Sequence, residues 1–323
     1  FSTYAVVSNA ELWFGSTAAA DGAVHSNVGV KMDGTNSSSV TSSNATYVPS
    51  SSSGNGSGTT RAGVWCDTTI TTPNCASRSK ASWRYPVPAV DFNKITTDLC
   101  SLKKTATNNQ ATNACNQRPA RTASYIPPRQ TGFSNSIGYL IALNTNGTYT
   151  LSNVNDEKDT RSNYTSALSL TTIASNIAIP ATGVIFVEDN VWLRSEATGF
   201  DGRVTVASAR LAVTGSTVAT IVDNLLYKDK VSGNDAIGVI AEDNVDIAPY
   251  VPAPLEIDGA FIAQTGRVQF RPRYNDNGNN TIGYVDPIKK LTFFGSVASN
   301  EQWTWSWVRC GAQSTACWSG FEY

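Results

Sequence analysis

Apolar residues along this chain come in short runs separated by Gly, Asn, Ser and Asp, the pattern of brief strands joined by tight turns. Tyr4-Ala-Val-Val7, Leu12-Trp-Phe14, Ala23-Val-His25 and Val28-Gly-Val30 predict four strands, punctuated by Gly15, Gly22 and Gly34. A second series follows residue 180. Gly183-Val-Ile-Phe-Val-Glu-Asp-Asn-Val191 is echoed by Gly238-Val-Ile-Ala-Glu-Asp-Asn-Val245, with Val204-Thr-Val-Ala207 and Ala219-Thr-Ile-Val-Asp-Asn224 between them. Ala260-Phe-Ile-Ala263 and Leu291-Thr-Phe-Phe-Gly295 continue the series. Such short strands cannot bury a face alone, so stacked coils, one strand per coil with unequal loops, are expected. Asp-Asn follows three of the strands, and both residues suit tight corners through local hydrogen bonds and tolerance of the left-handed region. Helical periodicity is strongest after Pro88. Asp91 is a candidate N-cap, and Phe92, Ile95, Leu99, Leu102 and Ala106 share one face. Gly138-Tyr-Leu-Ile-Ala-Leu143 and Gly147-Thr-Tyr-Thr-Leu151, joined by Asn144-Thr-Asn-Gly147, predict a β-hairpin. A second hairpin is expected around Asn275–Asn280, between Val268-Gln-Phe270 and Ile282-Gly-Tyr284.

The expected fold is therefore mainly β: an irregular parallel β-helix, or β-solenoid, with an inserted disulfide-stapled segment carrying one helix and a β-hairpin. Opening strands occupy residues 1–34. A Ser/Thr/Asn/Gly-rich loop follows over 35–60, in which all but five residues are of those four types. A stretch so poor in apolar surface is expected to stay outside the core. The basic insertion spans 61–180, and solenoid coils with a C-terminal cap fill 181–323.

Composition narrows the chemistry. A single His, His25, excludes metal sites built on several imidazoles, and any Ser-His-Asp or Cys-His catalyst would depend on that one ring. It is expected to serve a strand or turn hydrogen bond. No run of eighteen apolar residues and no Gly-rich phosphate loop occurs, and no cofactor or metal is expected. Six cysteines form three neighbouring pairs, Cys66 with Cys75, Cys100 with Cys115 and Cys310 with Cys317. They allow fifteen connectivities, of which pairing between sequence neighbours is the simplest. The even count without a CxxC spacing points to disulfides and an oxidising, extracytoplasmic compartment.

The net charge of −1 conceals an asymmetry. Residues 61–137 carry ten Lys and Arg against three Asp, a balance of +7, so the remainder carries −8. Lys103, Lys104, Arg118 and Arg121, with Trp83 and Tyr85, are the candidate ligand surface, since cations neutralise phosphates and aromatics stack on bases. The alternative is a scattered, solvated surface on a stapled subdomain. Trp303, Trp305 and Trp307 alternate, which in a strand places three indoles on one face. They offer either a stacking row for sugars or partners, or a cap over the last coil. Glu188-Asp189-Asn190 and Glu242-Asp243-Asn244 supply carboxylates for acid/base work, but their recurrence after equivalent strands favours corners. Asn275–Asn280 lacks the ligand pattern of a calcium loop.

Asp21-Gly-Ala-Val-His-Ser-Asn27 and Pro88-Ala-Val-Asp-Phe-Asn-Lys-Ile-Thr-Thr-Asp-Leu99 resemble the opening element and following helix of bacterial type IV pilus-associated proteins. Gly238–Val245, Ile257–Gln264, Leu291–Ala298 and Glu301–Trp307 resemble their repeating coils and closing segment. The chain is thus similar to the PilX-type, minor-pilin-like β-solenoid proteins. That resemblance implies a non-enzymatic extracellular protein of the cell surface or pilus tip, acting in adhesion, pilus assembly or DNA capture. Its implied partners are pilus subunits or other surface proteins, DNA, or surface glycans, with the membrane reached only through an N-terminal helix. Phe1-Ser-Thr-Tyr-Ala5 has the Phe that opens a mature pilin but neither the long apolar helix nor the Glu at position five. The expectation is that such a helix was removed or that the chain is not itself a pilin, and that sequence continued beyond Tyr323. The competing class is a β-helix polysaccharide lyase or hydrolase.

Overall fold

A computed structural model describes residues 3–50, 58–70, 75, 82–92, 94–129, 136–158, 163–211, 215–271, 291–303, 308–310 and 317–319. The chain divides into two compact units. One comprises Phe1–Phe92 and Ser296–Trp303 with the terminal Glu322–Tyr323; the other comprises Asn93–Gly295 and Thr304–Phe321. Both are mainly β, with parallel pairing dominant.

In the first unit the strands Val6–Ser8, Val24–Ser26 and Val40–Ser42 pair in parallel, as do Leu12–Phe14, Val30–Met32 and Val64–Trp65. Ala19–Ala20 pairs with Thr35–Asn36. The first two passes of the chain thus each lay one strand in each of three ladders, and Val40–Ser42 and Val64–Trp65 extend two of them. Period-two alternation sends Val6, Val24 and Val40, then Leu12, Val30 and Val64, into one core with Phe14 and Met32. Trp83 is in register with Val40, and Trp303 lies 5.2 Å from Phe14; both pack against this core. The 35–60 segment departs from expectation. Thr35–Asn36, Val40–Ser42 and Thr46–Tyr47 are strands, and Val40 and Tyr47 are buried. Val40 and Tyr47 thus point inward, whereas Ala45 and Val48 stay exposed.

The second unit is built on two ladders. Val184–Val187, Arg203–Ser208, Ala236–Ala241 and Leu255–Ala263 pair successively in parallel. Val191–Ser195, Ala219–Ile221, Val245–Ile247 and Val268–Phe270 form the other ladder, and the chain alternates strictly between the two. Inward rows are apolar: Ile185, Val206, Val239 and Phe261 in one ladder, Leu193, Ile221, Ile247 and Phe270 in the other. Val268–Phe270 is therefore a rung rather than one arm of a hairpin, and 275–280 lies outside the described residues.

The helix spans Lys94–Thr107. Leu99 and Ala106 bury against Val184, Phe186 and Ala207, so the outer face of the first ladder is covered there. The predicted hairpin forms, with Gly147 at φ +74° in its turn, where a side chain would be strained. Its first strand, Gly138–Leu143, pairs in parallel with Val191–Ser195 and so joins the second ladder. Its second strand, Thr148–Glu157, pairs antiparallel with a third, Leu168–Ala178. Residues 61–180 are thus not one insertion: their first part belongs to the first unit and the hairpin extends a ladder of the second.

Candidate functional site

The proposed corner residues act differently from expectation. Asn190, Asn224 and Asn244 do not adopt positive φ. Each amide oxygen instead accepts a backbone N–H from a later segment of the chain: Val218 at 3.1 Å, Glu256 at 2.8 Å and Arg267 at 2.8 Å. These asparagines tie successive ladder strands together. The local bonds come from the preceding aspartates, since Asp189 and Asp223 each accept the N–H of the Asn that follows.

An aromatic cavity forms in the first unit. Trp65 follows inward-facing Val64, and the Cys66–Cys75 disulfide, with Cα atoms 5.8 Å apart, closes the next loop. Val64, Trp65, Cys66, Thr68, Cys75, Trp83 and Tyr85 line a cavity of about 280 Å³, at the small end of ligand clefts. Trp83 is half-buried, and Tyr85 is 39% exposed. Its Trp65 wall is held from behind. The indole N–H donates to the Tyr47 hydroxyl at 3.0 Å, and Arg61 lies 4.8 Å from the ring centroid. Burial pushes the Tyr47 phenol up to about 12, so it stays a neutral acceptor.

Trp13, Lys31 and Trp65 are in register across three strands. Lys31, only 3% exposed, has its ammonium 4.8 Å from the Trp13 ring and 5.4 Å from the Trp65 ring. Asp33 completes the group: it meets Lys31 at 2.9 Å and accepts from the Trp13 indole at 3.0 Å and from the Asp67 N–H at 2.8 Å. Sequence reading missed this group. Its one signal was a Lys centred in the apolar triplet Val30-Lys-Met32.

The residues of the candidate ligand surface are divided between the two units. Trp83, Tyr85 and Trp303 belong to the first unit; Lys103, Lys104, Arg118 and Arg121 belong to the second. Lys103 is not on the surface at all, with 0% exposure. Its ammonium donates to Glu188 Oε1 at 2.5 Å and to the Cys115 carbonyl at 2.9 Å. The Tyr125 hydroxyl donates to the other Glu188 oxygen at 2.5 Å. Burial raises the Tyr125 phenol pKa, and its bond to Glu188 adds to that. Arg118 stands 4.0 Å from the same carboxylate. Asp189 takes Arg210 at 2.5 Å and Arg129 at 3.6 Å. Lys103 lies outside the predicted apolar face of the helix, yet its position meets Glu188. The Cys100–Cys115 disulfide, with Cα atoms 5.5 Å apart, holds the carbonyl that completes Lys103's shell. Lys104 is half-buried and Arg121 exposed. Trp305 and Trp307 lie outside the described residues. Cys310 and Cys317 pair as antiparallel neighbours along the backbone, and their side chains lie outside what is described.

Other carboxylates are also engaged. Glu242 accepts the Arg210 N–H at 2.9 Å, and Asp243 accepts from Ser216 at 3.1 Å. Glu157 receives both arms of Arg271, the Tyr250 hydroxyl and the Trp192 indole. Burial opposes its charge, but these donors prevail and hold the carboxyl below its usual range. Asp246, 6% exposed, is the opposite case. Burial pushes it up to about 6, although Gln269 donates to it at 2.9 Å. His25 is fully buried, with Nδ1 2.9 Å from Thr41 Oγ1 and Nε2 3.0 Å from Asn27 Oδ1, so it serves the predicted corner bonding. Burial lowers its pKa. Among the described residues, no helix is long and apolar enough to cross a membrane.

Comparison with protein-family models, with curated proteins and with solved structures finds no match for this chain. The two formed disulfides are compatible with an extracellular or periplasmic location.

Proposed function

We propose that this chain is an extracytoplasmic, non-enzymatic adhesion protein of the pilus-associated β-solenoid kind, and that the aromatic cavity of its first unit receives a saccharide ring. The carrying observation is that cavity: Trp65, Trp83 and Tyr85 supply aromatic faces, Thr68 a hydroxyl, and among the described residues no lining side chain is charged. Such walls suit the C–H faces of a neutral sugar. The solenoid reading rests on the strict return of each strand beside its predecessor in parallel register. DNA capture draws less support, because Lys103, Arg118 and Arg129 are turned towards Glu188 and Asp189. The lyase or hydrolase reading needs carboxylates that can reach a glycosidic bond. Glu188 and Asp189 are buried in ion pairs instead.

Neutral oligosaccharides titrated against the protein, followed by tryptophan fluorescence and saturation-transfer NMR, test the reading. Binding is expected, weakened about tenfold or more by Tyr85→Ala, and insensitive to salt. Absence of binding to any neutral glycan, or binding that Tyr85→Ala leaves intact, would remove the cavity from the function. Release of reducing or unsaturated ends from a polysaccharide would establish the enzyme class. Steeply salt-dependent DNA binding weakened by Lys104→Glu would restore nucleic-acid capture.

A further inference from the structure

The cavity of the first unit is polarised from floor to mouth. Val64, Trp65, Cys66 and Cys75 of its lining are buried, whereas Thr68 and Tyr85 are exposed. The floor is therefore an isopropyl group, an indole and the Cys66–Cys75 disulfide. Both indole N–H groups of the lining are bonded elsewhere. Trp65 donates to the Tyr47 hydroxyl at 3.0 Å, and Trp83 donates to Asn36 Oδ1 at 3.4 Å. Among the described lining side chains, that leaves the Thr68 and Tyr85 hydroxyls to pair with a ligand, and both stand at the mouth. Shape adds a second constraint. At about 280 Å³ the cavity lies just below the usual range of ligand clefts. Its aromatic walls do not form a row along one strand: Trp65 pairs into the ladder of Val30–Met32, and Trp83 into that of Val40–Ser42. Walls drawn from two ladders close around one ring instead of tracking several.

We infer that the cavity takes the terminal ring of a glycan, that this ring is a deoxyhexose, and that its exocyclic methyl group points to the disulfide floor. The inference rests on the saccharide reading of the cavity and names the sugar. A hydroxyl carried to that floor gives up its water and meets no side-chain partner, which weakens binding. A methyl group gains burial at the same place. The ring hydroxyls then lie towards Thr68, Tyr85 and bulk water. The N-acetyl group of an amino sugar also ends in a methyl, but it would carry an amide N–H and C=O into the same unpaired surroundings. An internal ring of a polysaccharide has a glycosidic bond on each side, and its neighbours keep it from a floor closed by Val64, Trp65 and the disulfide.

The test compares sugars that differ at this one carbon. L-rhamnose against L-mannose, and L-fucose against L-galactose, exchange a methyl for a hydroxymethyl group and change nothing else. Each is titrated against the full chain and followed by tryptophan fluorescence. The deoxy member of at least one pair is expected to bind about tenfold or more tightly than its partner. Saturation transfer should be strongest at its methyl protons. Thr68→Val, at an exposed position, should weaken that binding several-fold, and Thr68→Ser should restore it. A glycan ending in the same deoxyhexose should bind, and extending it by one further sugar on that ring should abolish binding. If the deoxy member is tighter in neither pair while other neutral glycans bind, the inference is overturned and the saccharide reading stands. Saturation strongest at the ring protons, or binding that survives extension of the terminal ring, overturns it in the same way. Absence of binding to every neutral glycan removes both.

Discussion

The two units stack parallel strands in register, yet they secure their corners with different chemistry. In the first, Ser8, Ser26 and Ser42 fall in one row, and each hydroxyl accepts the N–H two residues on, from Ala10, Val28 and Asn44. Beside them, Asn27 donates to Asn9 and Asn9 to Asn300. That ladder is neutral. In the second unit Asn190, Asn224 and Asn244 again make neutral ties, but where the first unit has Lys31 with Asp33 the second adds a larger set of ions: Glu188 with Lys103, Asp189 with Arg210, Asp258 with Lys230 and Glu157 with Arg271. The spacing between paired strands explains the difference. Val6, Val24 and Val40 are 18 and 16 residues apart, so similar residues return beside one another and short side chains suffice. Val184, Thr205, Gly238 and Ala260 are 21, 33 and 22 apart, and the coils bring dissimilar segments together. Long charged side chains span those irregular gaps.

The contrast is broken most sharply at Glu188. Glu188→Ala leaves the Lys103 ammonium buried with only the Cys115 carbonyl as a bonded partner. A loss of about 3–5 kcal/mol is expected, because the uncompensated buried charge costs more than the pair contributes. Replacing both partners, Lys103→Met with Glu188→Leu, should recover much of that loss. Chemical denaturation measures both variants. A small loss for the single variant would mean that Lys103 escapes to solvent and that the second unit does not depend on its ions.

Asp246 sharpens the contrast with an effect of opposite sign. Its folded pKa of about 6 lies above the ordinary value of 3.8. Between these values the folded state holds the proton more firmly, so its contribution is present at low pH and lost as pH rises through about 6. At higher pH an ionised carboxylate is kept buried. Asp246→Asn retains an oxygen for Gln269 and should stabilise the protein by about 2–3 kcal/mol at pH 8, with little effect at pH 4. Melting curves at the two pH values decide it. An equal effect at both would show that Asp246 stays ionised throughout.

How far this was legible in sequence also differs between the units. The strand positions followed from short apolar runs, and the Glu-Asp-Asn echoes marked true corners. The aromatic cavity was partly visible, since Trp65, Trp83 and Tyr85 stand out as aromatics interleaved in the basic segment, but Val64, Thr68 and the Cys66–Cys75 pair join them only in the folded chain. Two members of the serine row were written plainly as Val7-Ser-Asn9 and His25-Ser-Asn27, with Ala298-Ser-Asn300 in register beside the first, but the strands of those two have only three residues, too few for periodicity to expose the repeat. Glu188 and Lys103 stand 85 residues apart, and no local pattern announces such a pair. The basic segment consequently read as a surface, although several of its cations complement the acids of the ladder. The Leu168–Ala178 strand escaped because its Ser, Thr and Ala residues do not alternate between polar and apolar.

The neutral ladder supplies the smallest test. Asn9 is exposed, and its amide both donates to Asn300 at 3.0 Å and accepts from Asn27 at 2.8 Å. Water can replace either bond, so Asn9→Ala should cost only about 0.5–1 kcal/mol. No ionisable group takes part in those two bonds, and the loss should be the same at pH 4 and pH 8 and in low and high salt. Parallel denaturation of Asn9→Ala and Glu188→Ala across pH makes the measurement. A cost for Asn9→Ala that rises towards that of Glu188→Ala would mean that the amides act as a cooperative column rather than as separate bonds. A cost that varies with pH would couple them to His25 through Asn27, whose Oδ1 meets His25 Nε2 at 3.0 Å. Either result would make the first unit as dependent on a few polar atoms as the second is on its ion pairs.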